Sequence, residues 1–557
     1  MDHAANAGSS VFWKSPLQII TFAAILALGI GLRVYKLDAE SLWFDEAVSV
    51  AVLDEPTLME FIDAERAQDP AMMPLYFVFE YYIGRATGYS IYALRLFSVS
   101  TSVIAMILLY AFGRSLLGHF CGLTAMFMLA VSKNHIWHSQ DIRMYSLYYA
   151  LAIVSAYGFY LAYHRGKRWV WPICILANAA MLGTHFFGCT LVFVQGLILL
   201  FGRGWKRPHA YVFAAAHVPI LIPFFWWVSG FSQTKIESMI GWIPKPSLQV
   251  LFDSYLYVFT GAMLFGNEEL YHLIYPGGLF VGLVFAFLLL RMLKFCMGKI
   301  KQWQLQADSD SHHRLIIDLD RCSWVALTQG SGFSVSVIYY LLAWLFIPMI
   351  VLFVLSHTVK ECYVERYVLH SSYAMFLLGA AAITTFRSGF VRFVAVGAVA
   401  FTCAYVLEDL KRPMRPDWNG AAELIAAEFK TGDVIRIPET FRNENGLPMR
   451  THNDDLPIKG VAPNFANEVM RLACLGNTVW VPLVVQANAL SPKMFSLQLD
   501  AHNLPYEFHV RKGRREVAVF KINEDRDYFL ETLGKITDLS ASPINRSPDY
   551  NPTSEAP

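Results

Sequence analysis

The chain has 557 residues, of which 55% are hydrophobic and only 16% are charged. Soluble proteins average about 45–50% apolar and about 25% charged residues, so this composition excludes an ordinary soluble protein. The formal net charge of +1 gives no electrostatic case for binding nucleic acid.

The first apolar segment, roughly Pro16 to Leu37, is long enough to cross a bilayer, which takes about 20 residues. No small-residue cleavage site follows it, so we interpret it as a retained helix rather than a signal peptide. With later segments, hydropathy predicts about eleven membrane-spanning helices. The spans after the first are predicted at residues 90–112, 116–136, 144–163, 169–186, 187–202, 210–229, 272–293, 336–356, 367–386 and 391–408.

Lys and Arg are concentrated in alternate connections of this arrangement. These basic connections are residues 164–168, 203–208 and 291–321. With the N-terminus in the cytoplasm, all three face the cytoplasm, as the positive-inside rule requires. The first loop, 38–89, the short connection 137–143 and everything after about residue 409 are then predicted to face outward.

Two adjacent acids, Asp45 and Glu46, follow the first predicted span and are flanked by Trp43 and Phe44. Aromatic side chains favour the membrane–water interface. A carboxylate at that depth can meet a lipid head group and a water-borne substrate together, and it can act there as a base. The alternative is a solvated loop that carries ordinary surface charge.

A second polar group lies in the outer connection Ser132–Tyr145, where charged and amide side chains are unusually dense. Arg143 could form a two-pronged contact with a phosphate. Alternatively, it pairs with Asp141 or an acid of the first loop and fixes helix packing. His135 and His138 could share a helix face, but a metal site needs further ligands that one short loop does not supply, so metal dependence is left open.

Two more polar side chains lie at the outer boundary. His185 ends the fifth predicted span and could contact a phosphate or a metal, or serve as a hydrogen-bonded packing residue. Arg366 precedes the tenth span, where a second phosphate contact and a snorkelling boundary arginine are equally consistent with its position.

After residue 408 the composition becomes polar, which predicts a small α/β domain at 409–540 and a disordered tail at 541–557. Cys474 is the single cysteine of this region, so the domain cannot form an internal disulfide. The predicted elements are a helix at 420–430, strands at 433–437, 478–485 and 515–522, and a helix at 527–536.

Several short motifs now occur in a characteristic order. They are Asp45-Glu46 after the first span, Pro74-Leu-Tyr76 before the second, Gln140-Asp-Ile-Arg-Met-Tyr145 before the fourth, then Thr184-His185 and Glu365-Arg-Tyr367, followed by a small outer domain. With this order the chain resembles the C-type superfamily of integral-membrane glycosyltransferases. The bacterial branch akin to protein O-mannosyltransferases and the lipid A aminoarabinose transferase is the most similar, and the resemblance covers about residues 16–408.

The resemblance implies a transferase of the bacterial plasma (inner) membrane that builds part of the cell envelope. Such enzymes move a sugar, a hexosyl or pentosyl group, from a polyprenyl-phosphate donor to a hydroxyl of a protein, lipid or glycan, with inversion, on the outer face. Asp45 would be the catalytic base and Glu46 its partner. The residues implied to bind the donor are Arg143, Tyr145, His185 and Arg366.

The chain departs from the superfamily pattern at residues 69–76. Relatives usually have a histidine beside two prolines there, whereas this chain has Met72 and Met73. A metal or phosphate contact made by that segment is therefore put in doubt.

Two other classes of protein stay open at this point. A transporter or lipid flippase would more often place ionisable residues at mid-span and show broken helices in paired halves, and the sequence shows neither. A catalytically silent scaffold would have no need of the Asp45-Glu46 pair together with Arg143.

Overall fold

A computed structural model describes most of the N-terminal part of the chain and the central elements of the C-terminal part. The described residues are 15–69, 71–201, 208–230, 243–251, 253–254, 335–407, 417–438, 458–461, 478–484, 506–511 and 517–522, together with 286, 287, 290, 469, 472 and 499. The chain divides into two compact units. One comprises Met1–Leu37 and Val52–Lys411, and the other comprises Asp38–Ala51 and Arg412–Pro557.

The structure is mostly helical. The helices are α1 Pro16–Val34, α2 Phe44–Val50, α3 Leu58–Gln68, α4 Pro74–Thr87, α5 Ile91–Leu117, α6 His119–Ala130, α7 Lys133–Ser139, α8 Tyr145–Phe159, α9 Trp171–Thr184, α10 Cys189–Phe201, α11 Pro208–Ser229, α12 Val335–Thr358, α13 Ser372–Thr384, α14 Gly389–Leu407 and α15 Trp418–Glu428. Helix α8 continues into a π-helical turn at Tyr160–His164.

The first unit is helical and contains several apolar helices of membrane-spanning length. Among the described helices, five are long and apolar enough to cross a membrane, namely Pro16–Val34, Ile91–Leu117, Tyr145–His164, Tyr211–Ser229 and Ser336–Thr358. Shorter apolar helices lie in the predicted spans 116–136, 187–202, 367–386 and 391–408. Helix α9 lies in the predicted span 169–186. The predicted span 272–293 lies outside the described residues, apart from three single positions.

Close helix packing places α5 against α6. A Cβ atom at Gly113 would lie 2.9 Å from the Cα of Gly122, so only glycine permits this approach of the two backbones. Ser90 caps the start of α5, and its hydroxyl accepts a hydrogen bond from the amide of Ala93 at 3.3 Å.

A closed polar network joins the middles of α8, α9, α10 and α11. The amide of Asn178 donates to Gln195 Oε1 at 2.9 Å and to His217 Nε2 at 3.0 Å. Gln195 Nε2 donates to Ser155 Oγ at 2.7 Å, and the Ser155 hydroxyl returns a hydrogen bond to Asn178. His217 Nδ1 donates to the carbonyl of Phe213 at 2.7 Å. Because all four side chains satisfy one another, the network stabilises the bundle without leaving a polar group exposed to lipid.

The end of α1 is held in an unusual backbone conformation. Lys36 has φ of 55°, in the left-handed region that non-glycine residues seldom adopt. Gln140 Nε2 donates to the carbonyl of Tyr35 at 2.9 Å, and Arg95 Nη1 donates to the carbonyl of Leu37 at 2.8 Å. These two contacts fix the direction in which the chain leaves the first helix.

The second unit contains α2, α15 and a five-stranded mixed sheet. The strands are β1 Val434–Pro438, β2 Ile458–Val461, β3 Val479–Val484, β4 Tyr506–Arg511 and β5 Val517–Ile522, in the order β2-β1-β3-β5-β4. Strand β1 is parallel to β2 and β3, whereas β5 is antiparallel to β3 and β4.

Helix α15 covers one face of this sheet. Ile425 of the helix and Trp480 of β3 are both fully buried in the cluster between them. The predicted strands at 433–437, 478–485 and 515–522 coincide with β1, β3 and β5, while β2 and β4 were not predicted. The helix predicted at 527–536 and the tail lie outside the described residues.

Candidate functional site

The two acids of the first loop lie in the first turn of α2, where carboxylates complement the positive end of the helix dipole. Glu46 is fully buried, and its Oε2 accepts a hydrogen bond from the backbone amide of Trp43 at 3.2 Å. Asp45 is partly exposed. The structure therefore gives Glu46 a helix-capping position and leaves Asp45 the more accessible of the two carboxylates.

Arg143 lies in the turn between α7 and α8 and pairs with an acid of the first loop. Its Nη2 lies 3.0 Å from Oδ2 of Asp69, and its guanidinium carbon lies 5.8 Å from the centre of the Phe77 ring. Asp141, the other partner considered, has its Oδ2 3.2 Å from Nδ1 of His138. The pairing with a first-loop acid is thus realised, and this acid is Asp69.

The segment that carries Asp69 is itself held in place. The amide of Met72 donates to the carbonyl of Asp69 at 3.1 Å, and Trp227 Nε1 donates to the carbonyl of Met72 at 2.8 Å. The guanidinium of Arg66 lies 4.5 Å from the centre of the Trp227 ring. Met72 and its neighbour Met73 are buried, so they pack as core residues in this part of the unit.

Arg366 lies in the short 3₁₀ turn Glu365–Tyr367 and reaches α8. Its Nε donates to the hydroxyl of Tyr145 at 2.9 Å. The hydroxyl of Tyr149 donates to the carbonyl of Arg366 at 2.6 Å, and the hydroxyl of Tyr148 donates to the carbonyl of Tyr367 at 3.0 Å. Three tyrosines on one face of α8 therefore fix this turn and the direction of its arginine.

His185 occupies the turn between α9 and α10. Its ring stacks on Tyr148 with a centroid distance of 4.7 Å and lies 5.9 Å from the ring of Tyr145. Nδ1 accepts a hydrogen bond from the amide of Phe187 at 3.2 Å, so the neutral ring carries its proton on Nε2. Burial, with smaller contributions from the nearby His370, Arg366 and Arg143, lowers the pKa of His185 to about 3.

The four residues expected to bind a donor thus form one cluster of the first unit. They are Arg143, Tyr145, His185 and Arg366. Asp45 and Glu46 belong to the second unit. Asp69, the partner of Arg143, was not among the site residues predicted from the sequence. The sequence feature that could have indicated it is its position as an acid directly before a proline-containing segment.

A metal site finds no support in the described ranges, where no group of three or more His, Cys, Asp or Glu side chains converges. His135 Nε2 lies 2.7 Å from the hydroxyl of Ser372, and its ring stacks on Tyr373 at 5.0 Å. Burial lowers the pKa of His135 well below its usual range, which keeps the ring neutral. His135 is therefore a packing residue in this structure.

No protein-family model and no curated protein matches this sequence. Solved structures do match. ArnT from Cupriavidus metallidurans in the apo state is 12% identical, with 90% of this chain and 98% of that chain covered and a TM-score of 0.50. ArnT bound to undecaprenyl phosphate is 12% identical, with coverage of 91% and 98% and a TM-score of 0.49. The Archaeoglobus fulgidus oligosaccharyltransferase complex with Zn and sulfate is 10% identical, with coverage of 92% and 76% and a TM-score of 0.47.

Proposed function

Since the chain has the fold of ArnT, a lipid A aminoarabinose transferase of the C-type superfamily, we propose that it is an inverting glycosyltransferase of the bacterial inner membrane. The shared fold agrees with the resemblance seen in the sequence. The donor would be a polyprenyl-phosphate sugar, carrying a hexosyl or pentosyl group, and the acceptor a hydroxyl of a protein, lipid or glycan.

The observation that carries this proposal is the donor cluster, defined as Arg143, Tyr145, His185 and Arg366. Two arginines lie near a buried, neutral histidine in an aromatic setting, in turns beside the ends of the helices. Guanidinium groups match phosphate oxygens in charge and geometry, and a low-dielectric surrounding strengthens the contact. A lipid-linked phosphate is the ligand that suits both the charge and the membrane position.

In the proposed reaction, the acceptor hydroxyl attacks the anomeric carbon of the sugar as the bond from that carbon to the phosphate oxygen breaks. A sugar or protein hydroxyl has a high pKa, so a carboxylate must take its proton as the new bond forms. Asp45 takes this role because it is the accessible acid of the pair. Glu46 caps α2 and so holds Asp45 in its position.

The departing phosphate keeps the electron pair of the broken bond, and the arginines of the donor cluster stabilise the charge that develops on it. A single displacement by one base, with no covalent sugar–enzyme intermediate, inverts the configuration of the sugar. About eleven spanning helices, with the first loop and the C-terminal unit outside, would place this reaction on the outer face.

Arg143→Lys tests the donor contact. Lysine keeps the charge but loses the two-pronged geometry, so transfer from a polyprenyl-phosphate sugar should fall by about tenfold or more, mainly through weaker donor binding. Arg168→Lys, at an exposed arginine of a basic connection, is the matched control and should transfer normally. Normal donor affinity in Arg143→Lys would mean that Arg143 serves only its packing with Asp69.

The acceptor and the sugar are found by comparing cells with and without this protein. Mass spectrometry of envelope glycolipids and glycoproteins should show one sugar modification that is lost with the protein and restored by the wild-type chain. The Asp45→Asn chain should not restore it. Unchanged envelope glycans with altered uptake of a solute would instead favour a transporter.

A further inference from the structure

The ion pair between Arg143 and Asp69 is nearly withdrawn from water. The side chain of Arg143 is 6% exposed and that of Asp69 is 17% exposed, with 3.0 Å between Nη2 and Oδ2. An arginine without an acidic neighbour would attract an anion more strongly, because a neighbouring carboxylate offsets part of the positive charge. Asp69 therefore reduces the attraction that Arg143 exerts on any phosphate.

The carboxylate of Asp69 is not placed to move away easily. Asp69 directly follows α3. Its amide donates to the carbonyl of Glu65 at 2.7 Å, and its own carbonyl accepts from the amide of Met72. Trp227 then fixes Met72 from α11. With the backbone held on both sides, the carboxylate of Asp69 remains within reach of Arg143.

We propose that Asp69 is a specificity-determining residue, which makes the donor cluster favour a phosphodiester over a phosphomonoester. This inference rests on the proposed function. The sugar donor is a phosphodiester with one negative charge. Transfer breaks the bond between the anomeric carbon and the phosphate oxygen, the acceptor proton goes to Asp45, and the lipid product is a phosphomonoester.

The charge of the head group therefore rises during the reaction. A phosphomonoester has a second pKa of about 6 and carries close to two negative charges at neutral pH. Arg143 and Arg366, left uncompensated, would hold this product more tightly than the donor and slow its release. The fixed negative charge of Asp69 repels the second negative charge of the product. The single negative charge of the donor is still balanced by the two arginines.

The experiment measures the affinity of purified full-length protein for two probes at about pH 8, where the monoester is doubly charged. The probes are undecaprenyl phosphate and its methyl phosphodiester, which cannot transfer a sugar. The wild type should bind the diester at least as tightly as the monoester. Asp69→Asn should tighten binding of the monoester about tenfold more than binding of the diester.

Two further variants separate charge from packing. Asp69→Glu keeps the charge and should keep the wild-type preference. Asp63→Asn removes an exposed acid of α3 and should also bind both probes as the wild type does. In a transfer assay, Asp69→Asn should show stronger inhibition by undecaprenyl phosphate than the wild type.

Equal tightening or equal weakening of both probes in Asp69→Asn would overturn the inference, because a packing role does not distinguish them. A wild type that clearly prefers the monoester would overturn it as well, even if Asp69→Asn does not fold. Failure of the wild type to bind either probe would contradict the proposed function itself, which is a separate and recognisable result.

Discussion

Arg366 and Tyr145 lie more than two hundred residues apart in the chain, yet Nε of the arginine donates to the tyrosine hydroxyl at 2.9 Å. Arg366 is also 5.7 Å from the centre of the same ring. One tyrosine thus contacts the arginine through both its hydroxyl and its face, and it fixes where the guanidinium points.

Tyr145→Phe removes the hydroxyl and keeps the ring. Hydrogen bonds to charged groups contribute about 1.5–3 kcal/mol, so we expect donor affinity to fall by about tenfold or more while the turnover of bound donor changes less. Steady-state kinetics with a polyprenyl-phosphate sugar would measure this. Tyr82→Phe, at an exposed ring, is the control. An unchanged KM in Tyr145→Phe would show that the ring alone orients Arg366.

Asp45→Asn keeps the size of the side chain and removes the proton acceptor. Loss of a general base typically costs about 10²–10⁴ in rate, so turnover should fall by that factor with folding intact. Glu46→Gln keeps the oxygen that accepts from Trp43, so it should lose less activity. The two variants must be compared at equal amounts of protein in the membrane. Near-normal turnover in Asp45→Asn with an inactive Glu46→Gln would show that Glu46 is the base and Asp45 its partner.

The network around Asn178 predicts a large effect on stability. Asn178→Leu leaves Gln195, Ser155 and His217 without a shared partner inside the helix bundle. Each hydrogen bond inside a membrane contributes about 0.6–2 kcal/mol, so the loss of the three should total about 2–6 kcal/mol. Thermal inactivation in detergent should occur several degrees lower. Leu176→Ala, at an exposed position of the same helix, should change it little.

The topology predicts that the first loop and the C-terminal unit share the outer side. Single cysteines at Thr87 and Asn419, in a background without native cysteines, should react with a membrane-impermeant thiol reagent added outside. Thr87 is preferable to the adjacent Gly88, whose φ of 63° would strain a cysteine. Labelling of either position only from the cytoplasmic side would contradict the proposed orientation.

Much of the helical part could be predicted because membrane spans are long and uniformly apolar. The observed α1, α5 and α12 begin and end within a few residues of their predicted spans. The helices of the first loop were not predicted, since α3 and α4 carry mixed sequences whose burial depends on the rest of the unit. Strands β2 and β4 were not predicted, because such short segments form strands only by pairing with β1 and β5 in the sheet.

The candidate site, like the fold, could be predicted only in part. The polar loop and Arg366 could be identified because charge at a membrane boundary is conspicuous. The pairing of Arg143 with Asp69 could not be deduced from spacing, since several first-loop acids were equally eligible. Likewise, the hydrogen bond from Arg366 to Tyr145 depends on the packing of the turn Glu365–Tyr367 against α8, which no local pattern encodes.

The second unit is discontinuous in the sequence, since Asp38–Ala51 groups with Arg412–Pro557. A ribosome adding about 5–20 residues per second would release the two parts tens of seconds apart. The early segment must therefore wait for its partner, and a C-terminal fragment expressed alone would lack α2. Translation pausing or truncation after α14 would consequently leave Asp45 in an unfinished unit, although the membrane helices had already been inserted.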